Sequence, residues 1–376
     1  MRYSSLHLSA SKLSIMHDLR TTEGTLAYLN TTTFPATDVQ LLSGGNSAFT
    51  FRATLKTPLP SGEKTVVLKH AEKNVALTFY DPGLKIGEVD ARRSEFEYKA
   101  LVAITESGLC GPESIVRPPR PLHYDPETHT TFMTDLGSPI PLQKILQDEE
   151  NQYHHLASDI GSALGDFLAR LHNWTSAPEQ APLRTFISQN NVAKQCLSMQ
   201  HTFAHETLSK FGLKEKWVED ALSQDLEESA AANDVLIWGD SWPGNILVSP
   251  PSATQGLKIY LTDWEMSRLG PPEFDIGEAV GVAMSLVYKR YPQGEHPYIQ
   301  ALHRSYRQNR RVDPIKVARS TGVAIIGHSF VMPWVCDKDE QSQRSLASTG
   351  IDLIKAAYDG DADEIKRQGL VKELFT

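Results

Sequence analysis

Polar side chains at the ends of short apolar runs constrain this chain more than any other feature. The run Val235–Trp238 predicts a buried strand, and the runs 246–248 and 259–261 predict two more. A Pro-Gly pair marks the turn after the first strand. The strand ends are therefore expected to bring four polar residues to one place: Asp240, Asn245, Asp263 and Glu265.

These four side chains have the chemistry that phosphoryl transfer requires. A carboxylate such as Asp240 can orient a hydroxyl group, and amide and carboxylate oxygens can hold a hard cation such as Mg²⁺. The alternative is that Asp240 and Asn245 only stabilise turns, as Asp and Asn often do.

Two motifs in this region resemble those of the aminoglycoside phosphotransferase and choline kinase-like family, a branch of the protein-kinase-like fold. The catalytic loop of that family usually reads His-Gly-Asp, then four residues, then Asn. Here Trp238-Gly239-Asp240 is followed four residues later by Asn245, and the later metal loop is Asp263-Trp264-Glu265. Trp238 replaces the usual His, which affects a structural hydrogen bond and not the base or the metal ligands.

A glycine-rich turn precedes a clearly alternating strand near the N-terminus. Residues 48–56 place Phe49 and Phe51 on one face and polar residues on the other. Backbone N–H groups of small residues can approach phosphates closely, so the turn is a candidate nucleotide-binding element. A plain hairpin turn is the alternative. The candidate residues are Gly44, Gly45, Asn46 and Ser47.

Lys69 lies within the apolar run of a predicted strand, Lys64–His70, where a charge needs a partner. The predicted helix Glu88–Ser107 supplies Glu97, which lies on its inward apolar stripe. Glu95 is the rival, on a more mixed face. In kinase-like folds such a lysine–glutamate pair holds the α- and β-phosphates. A surface lysine at a strand end is the alternative.

The segment Phe132–Gly137 resembles the hinge between the two lobes in this family, where backbone groups bind adenine. Thr134 and Leu136 are the candidate contacts. The resemblance implies an α+β, bilobal protein-kinase-like fold. Its small antiparallel β N-lobe, with one main helix, would span residues 1–136, and its large, mostly helical C-lobe would span residues 137–376.

Helical periodicity is strong beyond the hinge. Leu156–His172 predicts an amphipathic core helix, and the polar segment 175–233 predicts helices whose His201 and His205 are solvated. Asp275 is expected to cap a helix over Ile276–Tyr291. Further helices are predicted at 297–309, 314–332, 339–358 and 361–374.

Composition excludes several classes of protein. The 376 residues carry a net charge of −9, which argues against a nucleic-acid partner and suits a cationic substrate. No apolar run is long enough for a bilayer span, and the N-terminus lacks a secretory h-region. Three widely spaced cysteines indicate reduced thiols. A cytoplasmic protein without a membrane partner is expected, and the oligomeric state is not predicted.

Within the family, the Gly-Gly-Asn turn, the metal loop and Phe274–Gly277 are similar to those of methylthioribose kinases and of fungal hydroxytryptamine kinases. Methylthioribose kinases carry paired arginines in a late helix, where this chain has only Arg319. Their catalytic loop usually has Ser where this chain has Asn245. Both differences argue against methylthioribose as the substrate.

The resemblance implies an ATP- and Mg²⁺-dependent phosphotransferase that acts on a hydroxyl group of a small molecule. Asp240 would be the base, Asn245 and Asp263 would bind Mg²⁺ with help from Glu265, and Lys69 would hold phosphate. A methylthioribose-type sugar kinase, an inactive nucleotide-binding pseudokinase and a helical interaction protein are the alternatives.

An acidic cluster after an aromatic residue suggests a site for a cationic substrate. Trp334 precedes Asp337, Asp339 and Glu340, and an aromatic face with carboxylates attracts an ammonium group. A solvated helix start is the alternative. The candidate substrate contacts are Trp334, Asp337 and Arg319.

Overall fold

The computed structural model describes residues 17–42, 47–81, 83, 87–111, 113–233, 235–253, 255–332 and 334–375. Within this part, five strands form an antiparallel sheet in the order β1-β2-β3-β6-β5, four more form the sheet β4-β10-β9-β7, and β8 pairs with β11. The strands are β1 (Ala36–Leu41), β2 (Phe49–Leu55), β3 (Thr65–His70), β4 (Val116–Arg117), β5 (Pro121–Asp125), β6 (Thr130–Thr134), β7 (Ile140–Pro141), β8 (Leu236–Ile237), β9 (Ile246–Ser249), β10 (Lys258–Leu261) and β11 (Arg268–Leu269).

Helices dominate the chain after β7. They are α1 (Thr22–Leu29), α2 (Ala76–Tyr80), α3 (Arg93–Glu106), α4 (Leu142–Gln147), α5 (Ala157–Ser176), α6 (Ala181–Ile187), α7 (Asn191–Phe211), α8 (Lys216–Ala231), α9 (Pro272–Val287), α10 (Pro297–Asn309), α11 (Pro314–Ser329), α12 (Glu340–Tyr358) and α13 (Ala362–Arg367). The α+β, bilobal protein-kinase-like architecture expected from the sequence is confirmed, with α3 as the long helix of the smaller lobe.

Alternation along β2 explains how the five-stranded sheet is built. Phe49, Phe51, Ala53 and Leu55 are buried on one face, where they pack with α1, and the intervening residues are more exposed. β3 is buried on both faces because it lies in the middle of the sheet. Lys69 therefore lies in the interior.

The two lobes share part of their core and one strand. Phe96, Leu101 and Ile104 of α3 belong to the apolar cluster that α5, α9 and α10 also build. The five-stranded sheet ends at Thr134, but β4 pairs in parallel with β10 of the second sheet. The segment at 116–117 thus joins a sheet of the C-terminal part.

Several predicted boundaries and environments are wrong. The helix expected at Ile276 begins at Pro272, because proline is favoured at the first helical position; Asp275 therefore lies inside its first turn and does not cap it. The helix expected at 88 begins at Arg93, and the one expected over 361–374 divides into α13 and a 3₁₀ turn at Lys372–Leu374. His201 is buried against Asp225, at 3.1 Å, and is not solvated.

None of the helices within the described ranges is both long and apolar enough to cross a membrane.

Two glycines on α5 allow the closest helix contact in the C-lobe. A Cβ at Gly161 or Gly165 would overlap the carbonyl groups of Tyr298 or Leu302 on α10. The two helices pack backbone against backbone, which keeps His172, two turns later on α5, at a fixed distance from the catalytic loop.

We expect Gly165→Ala to lower the free energy of unfolding by about 1–3 kcal/mol, the usual cost of overpacking a core. Urea unfolding monitored by circular dichroism measures this change. Gly256→Ala is the matched control, since a Cβ there meets no atom within 4 Å. Equal stability of the two variants would contradict the close packing of α5 against α10.

Candidate active site

The loop after β8 is held by one buried carboxylate. Asp275 accepts hydrogen bonds from the backbone N–H groups of Trp238 and Gly239, both at 2.8 Å, and from His172 Nε2 at 3.0 Å. Gly239 has a φ of +82°, and a Cβ there would overlap Met266, so only glycine fits this position. These contacts fix the backbone conformation immediately before Asp240.

Asp240 and Asn245 contact each other directly. Asn245 Nδ2 donates to Asp240 Oδ2 at 2.8 Å and to the Asp240 carbonyl at 3.2 Å. Burial raises the pKa of Asp240 well above its usual value, and the charges of Glu278 and Asp263 raise it further. A carboxylate with a raised pKa is a better proton acceptor, which suits a base that takes a hydroxyl proton.

The side chain of Trp238 donates hydrogen bonds even though it replaces the histidine that is usual in this motif. Its Nε1 donates to the carbonyl of Thr262 at 3.1 Å and to that of Asp263 at 3.3 Å. Its ring stacks on Trp264 with 5.6 Å between centroids. The indole therefore connects the catalytic loop to the metal loop.

Asp263 lies on a left-handed backbone conformation, with φ 57° and ψ 64°. Non-glycine residues adopt this conformation at a cost and mainly where the surroundings enforce it. The surroundings here are Lys69 Nζ, 2.5 Å from Asp263 Oδ1, and the antiparallel pairing of β9 with β10 before it. The carboxylate is aimed at the lysine as a result.

The ion pair predicted between Lys69 and Glu97 is present, at 3.0 Å, and both side chains are buried. Glu97 Oε1 also accepts from the backbone N–H of Trp264 at 3.3 Å. The rival Glu95 is more exposed and lies 3.5 Å from Arg92. The face of α3 that carries Glu97 thus contacts β3 and the metal loop together.

Several carboxylates share the buried Lys69. Burial opposes its charge, but Asp263, Glu265 and Glu97 raise its pKa well above the ordinary value. Burial raises the pKa of Glu97 to about 7 even though Lys69 lowers it. The cluster is therefore richer in carboxylates than in lysine, and a cation added nearby would stabilise it.

Glu265 connects this cluster to Arg93. Its Oε2 is 3.5 Å from Arg93 Nε and 3.6 Å from Lys69 Nζ, and the residue is buried. Arg93 in turn donates to the carbonyl of Ser47 at 2.7 Å and to that of Glu72 at 2.8 Å. Sequence reasoning missed Arg93, a charged residue at the first position of α3.

A cavity of about 250 Å³ lies between the lobes. Six of the predicted site residues line it: Lys69, Glu97, Thr134, Leu136, Asn245 and Asp263. Glu265 and Ser47 are not among its lining residues, and Gly44, Gly45 and Asn46 lie outside the described residues.

Arg52 at the edge of this cavity was not predicted. Its Nε is 2.7 Å from Asp135 Oδ2, and its Nη2 donates to Asp135 Oδ1 at 2.8 Å and to the Gly137 carbonyl. This bidentate ion pair connects β2 to the hinge segment. The regular alternation of apolar and polar residues along β2, which places Arg52 on the face away from the core, is the sequence signal that could have indicated this residue.

A second cavity, of about 300 Å³, opens on the other side of Asp240. Trp242 and Trp334 stack in its wall, with 5.5 Å between ring centroids and 14° between ring planes. The other lining residues are mostly apolar, with a few polar groups, among them Cys196, Gln200, Arg268, Glu278 and His328.

Of the three candidate substrate contacts, Trp334 alone lines this cavity. Asp337 is 85% exposed, has φ 52° and pairs with Lys289 at 3.0 Å. Arg319 pairs with Asp225 at 3.0 Å and with Glu228, in a separate recess. Asp339 caps α12 through Ser342.

The donor set around the first cavity fits Mg²⁺. Asn245 and Asp263 present an amide and a carboxylate to the same space. Among the described residues, no group of three His, Cys, Asp or Glu side chains forms a complete metal site. Mg²⁺ usually binds one or two carboxylates together with substrate phosphates and water.

A known protein family matches most of this chain. Residues 39–314 match the model of the phosphotransferase enzyme family. The chain belongs to this family. As a member of it, the protein is a small-molecule kinase.

Two curated relatives of this phosphotransferase are 4-hydroxytryptamine kinases. The one from Psilocybe cyanescens is 28% identical over 95% of this chain and 98% of its own length. The one from Psilocybe cubensis is 28% identical over 86% and 90%. A solved structure of a choline/ethanolamine kinase family protein from Mesorhizobium loti aligns with 94% of this chain and 99% of its own, at 15% identity and a TM-score of 0.48.

We expect Lys69→Met to lower the free energy of unfolding by about 3–5 kcal/mol, because it leaves buried carboxylates without their cation. Chemical denaturation measures the loss. Lys64→Met, at an exposed position just before β3, is the control and should change stability by less than about 0.5 kcal/mol.

Adding Glu97→Gln to Lys69→Met should restore part of the stability, since one of the uncompensated charges is then removed. A strictly additive double variant would show that Lys69 and Glu97 do not depend on each other.

Proposed function

We propose that this phosphotransferase moves the γ-phosphate of ATP to a hydroxyl group of a small molecule in a Mg²⁺-dependent reaction. The observation that carries the proposal is the hydrogen bond between Asp240 and Asn245. Asp240 lines the cavity with the tryptophan wall, and Asn245 lines the cavity between the lobes. One contact thus separates a space for the acceptor from a space for the nucleotide.

In this proposal ATP lies in the cavity between the lobes. Lys69, held by Glu97, contacts phosphate oxygens, and the backbone around Thr134 and Leu136 contacts adenine. The amides of Gly44, Gly45, Asn46 and Ser47 cover the phosphates. Arg93 donates to the Ser47 carbonyl at 2.7 Å and so fixes the position of Ser47.

Asn245 and Asp263 are the proposed Mg²⁺ ligands. The ion, when bound, neutralises charge on the phosphates. Glu265 acts on Asp263 through Lys69, because its carboxylate lies 3.6 Å from the Lys69 Nζ that contacts Asp263. Lys69 would also contact phosphate oxygens of bound ATP.

Asp240 orients the acceptor hydroxyl and takes its proton as the oxygen attacks the γ-phosphorus; the bond from that phosphorus to the β,γ-bridging oxygen breaks, and ADP is the leaving group. Little covalent chemistry is left to the protein, and the rate comes from positioning and charge neutralisation. The bonds from Asp275 to the backbone of Trp238 and Gly239 keep the loop before Asp240 in place.

For the acceptor, we propose a small hydroxylated aromatic molecule. The aromatic and apolar lining of the second cavity supports this class, and the relatives named 4-hydroxytryptamine kinases support it independently. A methylthioribose-type sugar is disfavoured because Arg319 is occupied by Asp225 and Glu228. We place the activity in the cytoplasm, in agreement with the three free cysteines.

The direct test is a screen for ATP-dependent phosphorylation of hydroxylated metabolites, including phenols, hydroxyindoles, amino alcohols and sugars. ADP release and the mass of the product are measured with and without Mg²⁺. Absence of any phosphorylated product, with folded protein and bound MgATP, would leave an inactive nucleotide-binding protein as the answer.

We expect Asp240→Asn to reduce phosphoryl transfer by at least about 100-fold, the effect of removing a general base, while MgATP affinity stays within a few-fold. Single-turnover kinetics and nucleotide titration separate the two quantities. Asp363→Asn, the same change on the exposed first turn of α13, is the control. Retention of most of the rate by Asp240→Asn would exclude it as the base.

We expect Asp263→Ala to remove the Mg²⁺-dependent part of ATP affinity, and Asn245→Ala to weaken it, because both supply oxygen ligands. Calorimetric titrations are compared with Mg²⁺ and with EDTA. Parent and variants should converge once the metal is chelated. Unchanged affinities in Mg²⁺ for both variants would place the metal elsewhere.

A further inference from the structure

The cavity beside Asp240 contains a second carboxylate that the chemistry above does not use. Glu278 lies on α9, one turn after Asp275, and lines the cavity with Trp242 and Trp334. Its Oε2 accepts from the backbone N–H of Ser241 at 2.7 Å and lies 3.1 Å from the Ser241 hydroxyl oxygen, whose single O–H also reaches the Asp275 carbonyl at 2.7 Å.

Both contacts involve the same oxygen of Glu278. Within the described residues, the other oxygen, Oε1, accepts no hydrogen bond and is not completely buried. Ser241 fixes the carboxylate in place, and half of its accepting capacity remains toward the cavity. A carboxylate oxygen in this position is ready for a donor that comes with the ligand.

Arg268 lines the same cavity, and its charge lowers the pKa of the Glu278 carboxyl. Among the described residues it makes no ion pair with Glu278 within 4.0 Å; its guanidinium lies 4.2 Å from the centroid of the Phe274 ring and donates to the Leu269 carbonyl at 3.2 Å. Burial lowers the pKa of His328 and raises that of Cys196 to about 12, so both side chains are neutral near pH 7.

A buried carboxylate that is not in a direct ion pair is costly, and burial raises the pKa of Glu278 to about 7 although the charge of Arg268 lowers it. An ammonium group brought by the ligand would remove that cost. The aromatic walls formed by Trp242 and Trp334 add attraction for a cation.

We propose that Glu278 binds the protonated nitrogen of the acceptor, so that the substrate class is a compact hydroxylated aromatic amine. The inference rests on the proposed function, since the hydroxyl of the same molecule must reach Asp240. Ser241, the next residue after Asp240, is the residue that Glu278 contacts, so hydroxyl and ammonium are recognised close to each other. The acidic cluster at Asp337 cannot have this role, because it faces solvent and Lys289.

The test uses two matched acceptors, 4-hydroxytryptamine and 4-hydroxyindole, which differ only in the aminoethyl group. Glu278→Gln removes the charge and keeps an oxygen that can accept from Ser241. For the variant we expect kcat/KM toward the amine to fall roughly 10- to 100-fold, mainly through KM, as for removal of one partner of a buried charge pair. The value toward 4-hydroxyindole should stay within about three-fold of the parent.

Asp337→Asn is the control and should leave both acceptors unaffected. Glu278→Asp keeps the charge on a shorter side chain and should raise KM for the amine alone. This variant is used in place of Glu278→Gln if Glu278→Gln does not fold. An equal loss for both acceptors would mean that Glu278 only supports the Ser241 loop, and no loss for either would mean that it binds nothing; each result overturns the inference.

The screen separates this inference from the proposed function. Phosphorylation of other alcohols but of neither hydroxyindole overturns the amine inference and leaves phosphoryl transfer standing. Absence of any ATP-dependent product overturns both.

Discussion

A single buried ammonium group holds together parts of the chain that are far apart in sequence. Lys69 on β3 contacts Glu97 on α3 and Asp263 in the metal loop, within 3.0 Å in both cases. Placing several carboxylates together in a buried space is costly unless a cation compensates them, so Lys69 stabilises the approach of α3 to the metal loop. The interlobe cavity has its shape because this cluster fixes its inner wall.

The buried cluster and the catalytic loop could be predicted in part because their signals are local. A lysine inside an apolar strand and a glutamate on an apolar helix stripe each need a partner, and periodicity alone indicates both. The same holds for the polar residues at the ends of β8, β9 and β10. The division into two lobes was implied by the family resemblance and not by these patterns. Predicted helix boundaries differ by several residues from those of the structure where Pro272 and the segment before Arg93 set the true starts.

The second cavity, beside Asp240, could not be predicted, since its wall comes from α7, α9, α11 and the segment around Trp334. Nothing near Glu278 in sequence announces that Ser241 lies against it. For Asp337, the local sequence pattern suggested a substrate contact. Three consecutive residues in the left-handed conformation, Cys336 to Lys338, instead direct the chain so that this carboxylate faces solvent. His201 looked solvated because its partner, Asp225, lies on the following helix.

The indole of Trp238 has a consequence for how the two loops behave as acidity changes. Relatives usually have histidine at this position, and an imidazole gains a proton near neutral pH. An indole N–H only donates and does not ionise in this range. The contact from Trp238 to the carbonyls of Thr262 and Asp263 therefore persists across the physiological pH scale. The hydrogen-bonded contact between the catalytic and metal loops is therefore independent of pH in this range. Any acid-dependent step of the protein arises from other groups.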